Sequence, residues 1–166
     1  MGIRQIRELG DDILRKKSKP VNQMTLRTKM LINDMLDTLY EANGVGLAAP
    51  QVGVLKRLVI VDIGEGPIIM LNPEIIATEG EQTDYEGCLS VPGKMGTVTR
   101  PNVVTVRYQD EKMEWQEKTG TELLARAFCH ELDHLDGIVY VDKVEGDLLD
   151  SASLDDEEES DEVTDD

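Results

Sequence analysis

Two histidines, His130 and His134, stand four residues apart in Cys129-His130-Glu131-Leu132-Asp133-His134, and the chain has no others. On a helix, side chains four residues apart lie one above the other, so both imidazoles can reach a single cation. Glu131 is turned about 100° from His130. It would stand beside such an ion, where a carboxylate can act as a base on water. The rival reading is a solvated helix face with two incidental histidines. Leu124, Phe128, Leu132 and Leu135 recur as an apolar stripe on the same segment, which speaks against it.

A catalytic metal centre needs a third protein ligand. No histidine follows His134, and Asp136, Asp142 and Glu145 lie in a segment heading for an acidic end. The other natural donor is Cys88, in Glu86-Gly87-Cys88-Leu89-Ser90. Gly87 before it and a Pro92-Gly93 turn after it would let a loop present the thiolate. Cys129 immediately precedes His130, so its side chain is turned away from that ligand and reads as a small buried hydrophobe. By ligand softness, one thiolate and two imidazoles suit Zn²⁺. A third stretch, Gly44-Val45-Gly46-Leu47-Ala48-Ala49-Pro50-Gln51, is short of large side chains. Alone it reads as a helix stop and a tight turn, and it lacks the GK[ST] of a phosphate loop.

These residues must be held by a scaffold. The helix carrying the histidines is expected from about Gly120 to Asp136, with Thr119 and Glu122 as a capping box and Gly137 just past its end. Its neighbouring face holds Leu123, Ala127, His130 and His134. Residues 25–42 predict a second amphipathic helix, capped by Thr25, with Ile32, Met35, Leu36, Leu39 and Tyr40 in its stripe and Asn43-Gly44 at its end. A short helix is expected over 11–18. Leu58–Ile63, Ile68–Leu71 and Asn102–Tyr108 read as strands, with 74–87 and 115–119 as irregular or edge strands. Strands with two separated helices predict an α+β fold: small antiparallel or mixed sheets around a central metal-binding helix.

The chain of 166 residues suits one domain, and its net charge of −17 sits largely at one end. Residues 145–166 hold 12 acidic and no basic groups, and the remainder carries 17 basic and 22 acidic side chains, a net of −5. No dense basic stripe suggests a nucleic-acid site. Residues 1–149 are expected to form the catalytic domain and 150–166 an acidic, disordered tail. The start has no apolar signal segment and no run long enough to span a membrane, so the expected location is cytoplasmic.

Taken in order, the three motifs at 44–51, 86–90 and 130–134 resemble the signature motifs of the peptide deformylases. The resemblance covers roughly residues 1–145, including Ile6-Arg7-Glu8-Leu9-Gly10-Asp11-Asp12-Ile13-Leu14-Arg15. It implies a metal-dependent hydrolase that removes the N-terminal formyl group from formyl-methionyl nascent peptides and releases formate. Cys88, His130 and His134 would hold one divalent metal, leaving a position for water. Glu131 would take a proton from that water and return it to the leaving amine. The Gln51 side chain and the Leu89 N–H would hold the formyl oxygen as it becomes an oxyanion. Gly46 would let the substrate backbone approach closely. The peptide would bind extended, as an added strand, with its methionine side chain in an apolar pocket that includes Val45 and Leu123. The resemblance makes the metal Fe²⁺, with Zn²⁺, Ni²⁺ or Co²⁺ as other occupants. Asp133 and Arg100 would either support the ligands from behind or form a surface ion pair. Bacterial members continue into a helix, often basic, that engages the ribosome. Glu145–Asp166 here is acidic and interrupted by Asp, Ser and Gly, so ribosome association is left open.

Two other readings compete. A zincin-type metallopeptidase shares the helix motif but has no need of Cys88. A non-catalytic module with structural zinc would close the site with a fourth protein ligand such as Glu86.

Overall fold

The histidine helix, α2 (Leu123–Leu135), is buried on every side: only Leu123 and Asp133 escape burial. In this computed structural model, which describes residues 2–152, the sheets are built against that helix. Antiparallel strands form a five-stranded sheet in the order β1 (Gly46–Ala48), β2 (Leu58–Val61), β3 (Ile68–Glu79), β6 (Val103–Gln109), β7 (Trp115–Thr121). A second sheet has the order β4 (Gln82–Cys88), β5 (Val91–Arg100), β8 (Glu145–Asp150). With α1 (Leu26–Glu41) the result is the expected α+β architecture.

The apolar run of β2 has a simple cause. Its side chains alternate between two buried layers, so both faces of the strand are apolar. Val59 and Val61 join Met70, Val104 and Val106 against Phe128 and Leu132 of α2. Leu58 and Ile60 join Leu71 against Leu31, Ile32, Met35 and Leu39 of α1. A smaller cluster of Leu14, Val91, Val98, Val139 and Tyr140 underlies the second sheet.

Helix α1 follows its periodicity, with Thr25 Oγ1 accepting from the Thr28 N–H at 3.1 Å. Tyr40 departs from the expected stripe: it is half exposed and donates its hydroxyl to Asp62. The helix expected over 11–18 shortens to a 3₁₀ turn, Asp12–Arg15, capped by Asp11.

The start of α2 corrects the sequence reading. Thr119 lies in β7, sharing a 2.8 Å hydrogen bond with Thr105, and Glu122 makes no side-chain cap. Pairing with β6 claims residues up to Thr121, and buried Gly120 lies against Leu124 and Phe128. Glu122 then reverses the chain at φ 53°. At the other end Gly137 serves as expected, at φ +76°; a Cβ there would come within 2.5 Å of the Arg15 carbonyl oxygen.

Two further expectations change. Pro92 and Gly93 belong to β5, and the turn that follows Cys88 is made by Leu89 and Ser90. Glu145–Asp150, acidic and interrupted in sequence, with Asp150 assigned to the disordered tail, is an edge strand paired with β5. All its residues are exposed, Leu148 and Leu149 included, so it shows no alternation of buried and exposed positions. Ser151 and Ala152 follow, and the rest of the expected tail lies outside the described residues. Among the described residues no helix is long and apolar enough to cross a membrane.

Candidate active site

The end of β4 brings Cys88 to the buried histidines of α2. Cys88 Sγ lies 3.4 Å from His134 Nε2. The ligating atoms of Cys88, His130 and His134 all fall within 4.8 Å of one another. Glu86, two residues before the cysteine, sets the orientation of His130. Its Oε2 is 2.7 Å from His130 Nδ1, which leaves Nε2 toward the cluster. Arg100 binds both oxygens of Glu86, at 3.1 and 2.7 Å, and Arg126 binds Oε1 at 2.9 Å. Asp133 completes this buried array with 2.8 Å to Arg100 Nη1. The Arg100–Asp133 contact is thus no surface pair: Arg100 is 3% exposed.

Glu131 is buried beside His130, its Oε2 3.9 Å from Nε2. Its other oxygen, Oε1, is buried without a partner among the described residues. Burial drives its pKa up to about 7, with nearby Glu86 adding to the rise. Gly46 explains its own identity, since a Cβ there would stand 2.5 Å from Glu131 Oε2. The nearest group at that glycine is therefore the carboxylate of the protein itself.

Gln51 sits in the short 3₁₀ turn after β1, 1% exposed. Its Oε1 accepts from the Ala48 N–H at 2.9 Å, and only the oxygen of an amide can do so. Nε2 is thereby turned toward the cluster, 3.0 Å from Ser90 Oγ and 3.5 Å from Cys88 Sγ. Leu89 follows Cys88 directly in the turn to β5.

Cys88, His130 and Glu131 open onto a cavity of about 580 Å³. Val45, Gly46, Cys88, Leu89, Leu123 and Glu131 line it, and Val45 and Leu123 remain substantially exposed at its edge. The sequence-predicted residues therefore gather in one place. What sequence reasoning missed is the array behind them: Arg126, Ser90, and Glu86 as the partner of His130. Glu86 stood in the noticed motif, but only as a rival zinc ligand. Four nitrogen donors from three residues now occupy its carboxylate, which removes it from that role.

The donor set fits a divalent cation. Cys88, Glu131 and Glu86 crowd acidic groups around His130; burial lowers its pKa, but these neighbours outweigh that and leave it well above the ordinary value. A cation bound by the thiolate would answer the same crowding. His134 is driven the other way, to about 3 by burial and the charge of His130, and so stands ready as a neutral ligand.

The model of the polypeptide deformylase family matches residues 3–148. The chain belongs to the polypeptide deformylase family. It is 62% identical over 150 residues to a peptide deformylase of Agathobacter rectalis, covering 90% of this chain and 95% of that one. A peptide deformylase of Lachnoclostridium phytofermentans is 60% identical over 162 residues, 96% of this chain and 99% of the relative. Among solved structures, the deformylase of Legionella pneumophila superposes with a TM-score of 0.84 at 47% identity, covering 86% of each chain. That of Synechococcus elongatus, solved in complex with actinonin, gives 0.83 at 43% identity, over 85% of this chain and 78% of the other. The overall fold is thus shared with solved peptide deformylases.

Proposed function

We propose that the chain is a peptide deformylase that hydrolyses the formamide at the N-terminus of nascent formyl-methionyl peptides, releasing formate. The observation that carries this reading is the cluster of Cys88, His130 and His134 with Glu131 and Gln51 beside it. Cys88, His130 and His134 would hold one divalent metal. When bound, the ion supplies Lewis acidity and makes water nucleophilic near neutral pH.

Glu131 takes the proton from the attacking water and delivers it to the departing amine. A carboxyl group with a pKa near 7 suits both transfers at neutral pH. Gln51 Nε2 donates to the formyl oxygen as charge develops on it, and the Leu89 N–H is the second donor. Because Gln51 Oε1 is tied to Ala48, the donor is oriented before substrate arrives. The first side chain of the substrate enters between Val45 and Leu123, and the peptide backbone runs past Gly46. Both lie on the cavity wall.

For the metal we propose Fe²⁺, with Zn²⁺, Ni²⁺ or Co²⁺ as alternative occupants. Ligand softness favours Zn²⁺, whereas the family resemblance favours iron. Residues 1–149 would form the catalytic unit of a cytoplasmic enzyme and 150–166 an acidic appendage, with the boundary moved by the structure: Asp150 completes β8 and Ser151 lines the cavity. Ribosomal RNA would repel that acidic end, so association with ribosomes is weak.

The test is formate release from a formyl-Met peptide, using anaerobically prepared, iron-loaded protein. Formate and free amine should appear at equal rates. Cleavage of an unformylated peptide without formate would instead identify a peptidase.

A further inference from the structure

Ser90 is fully buried in the turn after Cys88. Its hydroxyl oxygen stands 3.0 Å from Gln51 Nε2. An amide nitrogen only donates, so the hydroxyl is the acceptor in that pair. The Ala48 N–H already holds Gln51 Oε1 at 2.9 Å. The carboxamide is therefore pinned at both ends, by Ala48 at its oxygen and by Ser90 at its nitrogen. That nitrogen carries two hydrogens. Ser90 takes one, and the other is left for the cluster, with Cys88 Sγ 3.5 Å away.

The main chains of the two residues are spaced independently by the amino-terminal segment. The Arg7 N–H donates to the Gln51 carbonyl at 2.7 Å, and the Leu9 N–H donates to the Ser90 carbonyl at 2.8 Å. The Ser90 N–H in turn donates to Cys88 Sγ at 3.4 Å. None of these bonds uses the Ser90 hydroxyl. Its loss would leave the backbone in place and free one thing, the swing of the Gln51 nitrogen about the bond to Ala48. The terminal torsion of a glutamine is broad and does little to resist that swing.

We propose that Ser90 is a positioning residue for the oxyanion donor: its hydroxyl holds one hydrogen of the Gln51 amide, so that the other stays aimed at the formyl oxygen. The proposal rests on the deformylase reading and deepens it. A donor fixed before reaction needs no reorganisation when charge develops, and that is where such donors gain their effect.

The test is a double-mutant cycle on kcat/KM for a formyl-Met peptide. Ser90→Ala should lower kcat/KM about two- to twelvefold, the worth of one neutral hydrogen bond. The loss should fall on kcat with KM nearly unchanged, because the oxyanion forms only after the substrate is bound. In a Gln51→Ala background the same serine substitution should cost nothing, since no amide remains to be aimed. A role in holding the fold would cost equally in both backgrounds, and that result overturns the proposal. An undiminished kcat/KM in Ser90→Ala overturns it too. A second readout needs no turnover: heteronuclear NMR of the zinc-loaded protein. The Gln51 side-chain amide pair, recognised by its absence from Gln51→Ala, should move in Ser90→Ala toward the position of a free amide. An unmoved pair counts against Ser90 as its anchor. Failure of the unaltered protein to release formate would sink the deformylase reading instead, and the amide shift would still report on Ser90.

Discussion

Glu86 Oε2 stands 2.7 Å from His130 Nδ1, and that contact decides which ring nitrogen faces Cys88. Two arginines hold the same carboxylate, so the histidine is oriented by a group that cannot swing away. Burial opposes ionisation of Glu86, yet hydrogen bonds from His130 and Arg100 bring its pKa down to about 2. It therefore remains an acceptor throughout the neutral range. Removing that charge leaves Arg126 buried without an anion. Glu86→Gln should cost about 3–5 kcal/mol of stability, the range for breaking a buried ion pair. Metal should also be held more weakly, by roughly tenfold to a hundredfold. Chemical denaturation and a chelator competition measure the two effects separately.

Ligand and base can be told apart by substitution. Glu131→Gln should keep the metal, because no ligating atom changes, and slow turnover by about 10²–10⁴-fold. Cys88→Ala should lose metal instead. Metal content after gel filtration, read beside kcat, decides the matter. An empty site in Glu131→Gln with a full one in Cys88→Ala would reverse the assignment.

Gly46→Ala probes the base from the opposite wall. The new Cβ would fall 2.5 Å from Glu131 Oε2, so the carboxylate must shift. A displacement on the order of 1 Å can cost about 10²-fold in rate. Metal content should stay normal while kcat drops. A variant with unaltered kcat would show that Glu131 has room to spare.

If the metal is Fe²⁺, activity should fade in air. A ferrous ion beside the half-buried Cys88 invites oxidation of both, with the thiolate moving toward sulfenic and sulfonic acids. Nickel-loaded protein should outlast the iron form under the same aerobic conditions. Equal half-lives would count against iron-centred chemistry.

Removing residues 153–166 should leave the melting temperature unchanged, since that stretch offers Leu154 and Val163 as its only large apolar side chains. Removing residues 145–166 should lower it, because β8 and its pairing with β5 go too. A chain of this size loses about 2–4 °C per kcal/mol. Thermal unfolding of the two truncations side by side gives the comparison.

The chemistry was legible in the sequence wherever it rests on local spacing. His130 and His134 share a helix face because they are four residues apart, and Glu131 stands beside them for the same geometric reason. Thr25 and Gly137 announced their helix ends through backbone chemistry that those residue types serve. Recognition of Cys88 and Gln51 needed the ordered motifs, since nothing in the spacing of 51, 88 and 130 brings them together. The tertiary structure alone decided how α2 begins, because pairing of β7 with β6 overrides the local capping signal at Thr119. It also decided the strand at Glu145–Asp150, which pairs with β5 through its backbone and shows no alternation of buried and exposed side chains. Arg126 and Glu86 belong to the same class. A buried charge reads in sequence like an exposed one, and only the folded chain shows which carboxylate answers which guanidinium.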